Sequence, residues 1–284
     1  MKLVVNGCSN TACMIEGKLY PEFSWANFLS IKTNIVLENL AVRGSSLERI
    51  LRTTIEYFSE NECIKISNIL IQNEYKWQAR FGNCFFSFGA LSYLDEGWDY
   101  QNKLQYFNPL LWENFDWVYK KIQNYYQEKL NKSVVYWNKE PFPKAFPGFH
   151  IFQNSEIINQ NKWGASIHTD SPHTKHAWPT KINCVFTFTI SIQSPNNGSG
   201  LRFWLNEENF HNISPVYYDD LIEDDKRKLE EEAIYIPYKI GYIYEHDGNT
   251  YHQIATEKDF KPNERRISLQ GHLSELDNNI ILYV

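Results

Sequence analysis

The sequence has no C-x-x-C pair. Its five cysteines, Cys8, Cys13, Cys63, Cys84 and Cys184, are scattered and odd in number. That argues against a zinc framework and for reduced, mostly buried thiols. No apolar run approaches the length of about 18–20 residues that a membrane-spanning helix needs. No dense basic stripe is present and the net charge is −6, so the electrostatic footprint of a nucleic-acid-binding protein is missing. The opening "MKLVVNGCSN" carries an apolar stretch of about four residues, short of the ~7–15 in the core of a secretion signal. The expectation is a cytoplasmic protein that engages neither membrane nor nucleic acid. Internal repeats are also absent.

What is present is apolar bulk. Hydrophobic residues make up 43% of 284 positions and aromatics 16%, enough to fill the core of one large or two small domains. "KLVV" (2–5) and "NIVLENLAV" (34–42) read as strands. Ser45 and Glu48 form a capping box that opens a helix, with Leu47, Ile50, Leu51, Ile55 and Phe58 on one face. "SNILIQ" (67–72) reads as a third, buried strand. The β-α-β order predicts parallel pairing. Trp112, Phe115, Tyr119, Ile122 and Tyr126 share one face of a strong helix that stops near Asn131, and "SVVYW" (133–137) follows as a strand. The proline-rich "NKEPFPKAFPG" (138–148) marks a boundary. Residues 1–140 are thus expected to form an α/β, flavodoxin-like N-terminal domain, and 141–284 a second domain.

In the second half strands dominate. Along "INCVFTFTISI" (182–192), Ile182, Cys184, Phe186, Phe188, Ile190 and Ile192 fall on one face, and Val185, Thr187, Thr189 and Ser191 on the other. "LRFWL" and "AIYIPYKIGYIYEH" follow as strands, with "SPNNGSG" and "DGNT" as turns. "DDLIEDDKRKLEEE" (219–232) is a charged, solvated helical insertion. The pattern predicts a β-sandwich or barrel of about eight short strands.

The chemistry centres on "WGASIHTDSPH" (163–173). His168 and Asp170 are two apart, so on an extended strand both point to one side. Two histidines and one carboxylate on one face of an octahedron make a non-haem ferrous site with three positions left open. The second histidine must come from another strand, and His252 lies just beyond the "DGNT" turn. His246 precedes that turn and suits the role less well. On the next strand, "RRISLQGHL", Arg266, Ser268, Gln270 and His272 project to one face, while Ile267, Leu269 and Leu273 project to the other. A cation and a hydroxyl together there form a clamp for a carboxylate. Arg265 falls on the apolar face.

These residues, in this order, resemble the Fe(II)/2-oxoglutarate-dependent dioxygenases of the phytanoyl-CoA or prolyl hydroxylase type. The resemblance covers roughly residues 145–284. It implies a double-stranded β-helix of the jelly-roll or cupin kind, giving an α+β chain overall. It implies Fe(II) held by His168, Asp170 and His252, and 2-oxoglutarate held by Arg266 and Ser268. It also implies O₂ as co-substrate and hydroxylation of an unactivated C–H bond in a small metabolite, with release of succinate and CO₂. Related halogenases usually replace the carboxylate with a small residue, so Asp170 favours hydroxylation.

A second resemblance competes for Asp170. "VNGCSNTA" with Ser9, Gly44 in "AVRGSS", Asn73 in "LIQNEYKW" and the D-x-x-H of Asp170–His173 are similar to the four blocks of SGNH serine hydrolases. That similarity implies an esterase triad of Ser9, His173 and Asp170. Against it, prolines and a long strand follow His173 where that family has a closing helix, and "IQNEYK" lacks the family's glycine. The N-terminal region then keeps a hydrolase-like shape without the active site. A non-catalytic, cupin-like binding module is the third class. The apolar surfaces of the N-terminal domain also allow a homodimer.

Overall fold

The computed structural model describes residues 53–81, 84–140, 143–154, 165–170, 185–196, 198–204, 220–255 and 263–284. It also describes residues 182 and 261 and four short strands nearer the N-terminus. Those four are β1 (Lys2–Val5), β2 (Cys13–Ile15), β3 (Lys18–Tyr20) and β4 (Val36–Asn39). As the apolar runs predict, β1 pairs with β4 in parallel; β2 and β3 pair antiparallel.

Helix α1 (Glu60–Gln72) starts at a capping box. The Glu62 N–H donates to the Ser59 hydroxyl, and the Ser59 N–H donates to the Glu62 carboxylate. Cys63, Ile66 and Leu70 recur at helical spacing and are buried. The strand expected at "SNILIQ" is therefore the end of this helix. A six-residue apolar run fits either period, and the cap eight residues upstream decides the matter. Part of the helix expected from Ser45 falls at Thr53–Glu56, which is instead strand β5; the preceding part lies outside the described residues.

Helix α2 (Gly97–Leu130) buries Leu104, Phe107, Leu111, Phe115, Val118, Ile122 and Tyr126 along one stripe. It begins well before Trp112. Pro109 lies inside it and Phe115 leaves helical geometry (φ −133°, ψ 22°), so two helical stretches meet at a kink and no single period spans them. Asn131 ends it in the left-handed region. Helix α3 (Glu223–Glu232) buries only Leu229, as a solvated insertion should.

The remaining strands are β6 (Gln78–Phe81), β7 (Phe85–Phe88), β8 (Val134–Tyr136), β9 (Gly148–Gln153), β10 (Val185–Gln193), β11 (Gly200–Trp204), β12 (Ile234–Pro237), β13 (Tyr242–Asp247), β14 (Tyr251–Ala255), β15 (Arg265–Leu276) and β16 (Asn279–Tyr283). The larger sheet runs β5-β13-β10-β15-β9-β7-β6, with β16 and β8 branching from β15. A smaller sheet runs β12-β11-β14, all antiparallel. The chain is thus a mixed, sheet-rich α/β protein with mainly antiparallel pairing. The larger sheet crosses residue 140: β5 pairs with β13 and β7 with β9, while β6 joins the sheet through β7, so the boundary expected there does not separate these strands.

One face of the larger sheet is covered by α1 and α2. Phe115 packs on Phe149 with ring centroids 4.7 Å apart, and Tyr126 on Phe188 at 5.6 Å. Ile190, Ile192, Ile267 and Leu269 complete this core. The opposite face is polar. Strand register lines up His246, Thr187 and His272 across β13, β10 and β15. It also lines up Ser191, Ser268, His150 and Ser87 across β10, β15, β9 and β7. All seven are buried. The smaller sheet packs against this side through Phe203, whose ring lies 5.3 Å from that of His246.

Candidate metal centre

His168 and Asp170 lie on a short segment tied to the edge of the smaller sheet. The backbones of His168 and His252 exchange two hydrogen bonds of 2.9 Å, and the Asp170 N–H donates to the Gly248 carbonyl at 2.7 Å. This pairing sets residues far apart in sequence side by side. The imidazoles of His168 and His252 face each other with centroids 4.5 Å apart. Asp170 lies beneath them, Oδ1 at 3.7 Å from His168 Nε2 and Oδ2 at 3.3 Å from His252 Nε2. One ligand atom from each of the three lies within 4.8 Å of the others.

Each imidazole has its far nitrogen tied down. His168 Nδ1 donates to the Ser166 carbonyl and His252 Nδ1 to the Thr250 carbonyl, both at 2.9 Å. That tautomer directs the Nε2 lone pairs inward, as metal ligation requires. Burial works to raise the Asp170 carboxyl, but charge and hydrogen bonding from His252, with His272 and His168 behind, hold it well below the usual carboxylate range. Burial also lowers His168, and the His252 charge lowers it further. For His252 burial is outweighed by the Asp170 carboxylate, and its value is raised. Two imidazoles and one ionised carboxylate of this kind can hold a borderline divalent ion with open positions.

Arg266 and Ser268 lie on the inner face of β15, as strand parity predicted. Arg266 is 3% exposed, and its guanidinium lies over the rings of Phe152 at 5.1 Å and Tyr238 at 5.2 Å. Among the described residues its Nε and Nη2 and the Ser268 hydroxyl have no hydrogen-bond partner. A buried cation with unpaired donors beside an unpaired hydroxyl is costly unless an anion completes it. Arg265 instead reaches the Glu74 carboxylate at 3.4 Å near the surface.

Other residues fall into place. His246 lies 4.5 Å from His252 by ring centroids, yet Asp247 accepts from its Nδ1 and it stands outside the cluster of three. Burial pushes it down to about 3. His150 is a buried strand residue bonded to the Tyr93 hydroxyl at 3.0 Å. Trp204 is packing: it is buried and donates to the Leu229 carbonyl. Asn73 closes helix α1, its side chain donating to the Ile69 carbonyl, which gives it a capping role. Ser9, Gly44 and His173 lie outside the described residues. The sequence did not single out Thr187, which donates to Asp170 Oδ2 at 2.6 Å. Its one available signal was its place on the polar face of "INCVFTFTISI".

No protein-family model matches the chain, and no curated protein matches it. Among the solved structures similar to it are proteins named as dioxygenases or alpha-ketoglutarate-dependent enzymes and proteins solved with 2-oxoglutarate bound. One is an N-substituted L-amino acid dioxygenase from Burkholderia ambifaria AMMD, at 12% identity over 81% of this chain and 85% of that one, TM-score 0.49. Another is EvdO2 from Micromonospora carbonacea var. aurantiaca complexed with 2-oxoglutarate, at 12% identity over 81% and 87%, TM-score 0.43. A third is HygX from Streptomyces hygroscopicus with nickel, 2-oxoglutarate and hygromycin B bound, at 8% identity over 77% and 80%, TM-score 0.38. At this level of similarity the chemistry rests on the side chains described above.

Proposed function

We propose that this protein is an Fe(II)- and 2-oxoglutarate-dependent oxygenase that hydroxylates an unactivated C–H bond of a small molecule, with release of succinate and CO₂. The observation that carries the reading is the convergence of His168, Asp170 and His252 within 4.8 Å. The donor set fits ferrous iron: two imidazole nitrogens, each ring fixed through Nδ1 to a backbone carbonyl, and one ionised carboxylate. Bound there, the metal supplies O₂ activation coupled to oxidative decarboxylation of the dicarboxylate. The chain's own residues hold and orient. Arg266 receives the far carboxylate of 2-oxoglutarate, its planar fork suited to two parallel bonds, and Ser268 adds a hydroxyl donor. The small-molecule substrate class is supported by the buried, polar inner face, which offers hydrogen bonds.

In this reading the two sheets make a double-stranded β-helix. The oxygenase unit takes in β5 to β7, which the sheet joins across residue 140. For α/β character in the N-terminal region the parallel β1–β4 pair is the support. The esterase reading has less behind it: Asp170 is engaged by two imidazoles and Thr187, and Asn73 by its own helix. Succinate formation from 2-oxoglutarate is the test. It should require both Fe(II) and O₂ and be lost in His168→Ala. Failure of the iron-loaded protein to bind 2-oxoglutarate or to form succinate would overturn the proposal. Binding of 2-oxoglutarate without turnover would instead favour the cupin-like binding module.

A further inference from the structure

We propose that Thr187 and His272 are positioning residues for the Asp170 carboxylate, an inference that rests on reading His168, Asp170 and His252 as a metal triad. Thr187 Oγ1 lies 2.6 Å from Asp170 Oδ2 and 3.0 Å from His272 Nδ1. A hydroxyl has one proton to give. An ionised carboxylate only accepts, so the Thr187 proton goes to Asp170. Thr187 Oγ1 must then accept from His272, whose proton sits on Nδ1. The direction of the whole chain, His272 to Thr187 to Asp170, follows from that count.

The fold holds this chain rigidly. Thr187 and His272 face each other in register across β10 and β15, and both are buried, at 0% and 1% exposure. The His272 ring lies against Tyr283 with centroids 5.7 Å apart. Both residues belong to the larger sheet, whereas Asp170 belongs to the segment paired with the smaller one. The hydrogen bond therefore ties the metal-binding segment to the rigid sheet. It also fixes the plane of a carboxylate that would otherwise rotate about its terminal torsion. Outer partners of ligating carboxylates typically change metal affinity by about 10–100-fold when removed.

The test titrates metal-free protein anaerobically with Mn(II) by calorimetry, and records the visible spectrum of the Co(II)-loaded form. Thr187→Val, which keeps the side chain's shape, should weaken Mn(II) binding by about 10–100-fold and shift the Co(II) bands. Thr187→Ser, which restores the hydroxyl, should recover most of the affinity. His272→Phe should give a smaller loss in the same direction and serves as the second variant should Thr187→Val not fold. Thr189→Val makes the same chemical change two residues along the same strand face and should leave affinity intact. Unchanged affinity in Thr187→Val or, where that variant does not fold, in His272→Phe overturns the proposal and leaves the triad standing. So do equal losses in Thr187→Val and Thr189→Val, which would report a loosened strand. Failure of the unmodified protein to bind Mn(II) removes the triad itself, and the positioning role with it.

Discussion

On strand β10, Phe188, Ile190 and Ile192 join the core beneath helices α1 and α2, while Thr187, Thr189 and Ser191 face the other way and Thr187 holds the carboxylate of the triad. Strand β15 repeats the division, with Ile267, Leu269 and Leu273 in the core and Arg266, Ser268, Gln270 and His272 opposite. The same strands thus carry two kinds of energetics. The helix side stabilises by removing apolar surface from water. The inner side spends some of that stability on buried polar groups, including an arginine whose Nε and Nη2 lack partners among the described residues. On the helix side the buried Glu245 carboxylate pairs through Oε2 with Lys129 of α2. The difference teaches that one strand can carry an apolar, stabilising face and a buried polar one at once, by two-residue parity alone.

The sharpest way to separate the two faces is to empty a site on the helix side. Phe149 is fully buried against Phe115. Phe149→Ala should cost about 3–5 kcal/mol in urea unfolding, with metal affinity unchanged in the folded fraction. A matching loss of metal affinity would break the comparison.

The next largest effect concerns a charged group near the inner face that is paired. The Asp95 carboxylate is 3% exposed and accepts from Arg80, Lys103 and the Leu91 N–H. Burial works against its charge, but the Arg80, Leu91 and Lys103 hydrogen bonds prevail and lower its pKa. Such a group adds stability above its unfolded pKa of about 3.9. That stability is lost as pH falls through the lower folded value. Asp95→Asn should cost about 3 kcal/mol at neutral pH and flatten the acid limb of the stability curve. An acid limb identical to that of the unmodified protein would show that the network contributes nothing.

Arg266 should behave in the opposite way. Arg266→Leu should weaken 2-oxoglutarate binding to the metal-loaded protein by about 10–100-fold, the worth of about 1.5–3 kcal/mol for hydrogen bonds to a charged group. Ligand-free stability should hold or rise, since an unpaired buried charge has been removed. A fall in ligand-free stability with unchanged 2-oxoglutarate affinity would make Arg266 a structural residue. Arg265→Ala, near the surface, should leave binding intact. The smallest effect is expected of Ser268→Ala, a loss of about 1 kcal/mol or roughly fivefold in 2-oxoglutarate affinity by calorimetry.

The division of faces was legible before any coordinates, because strand parity is a strict two-residue repeat. It placed Thr187 opposite Phe188, and Arg266 with Ser268 away from Leu269. The H-x-D spacing and the position of His252 beyond its turn were legible for the same reason. Helix α1 was not, since "SNILIQ" is too short to show a period by itself and its decisive cap lies upstream at Ser59. The partnership of Thr187 with Asp170 and His272 was hidden for a different reason. Register between strands depends on packing over the whole sheet, and no local pattern states which residue of β15 stands beside Thr187. The joining of β5 and β7 to later strands was hidden likewise, behind the prolines of "NKEPFPKAFPG".

Anaerobic calorimetry of Fe(II) binding to the unmodified protein and to His252→Ala tests the triad most directly. The account predicts one ferrous ion per chain in the first and loss of that binding in the second, with folding intact in both. Full iron stoichiometry retained by His252→Ala would contradict it.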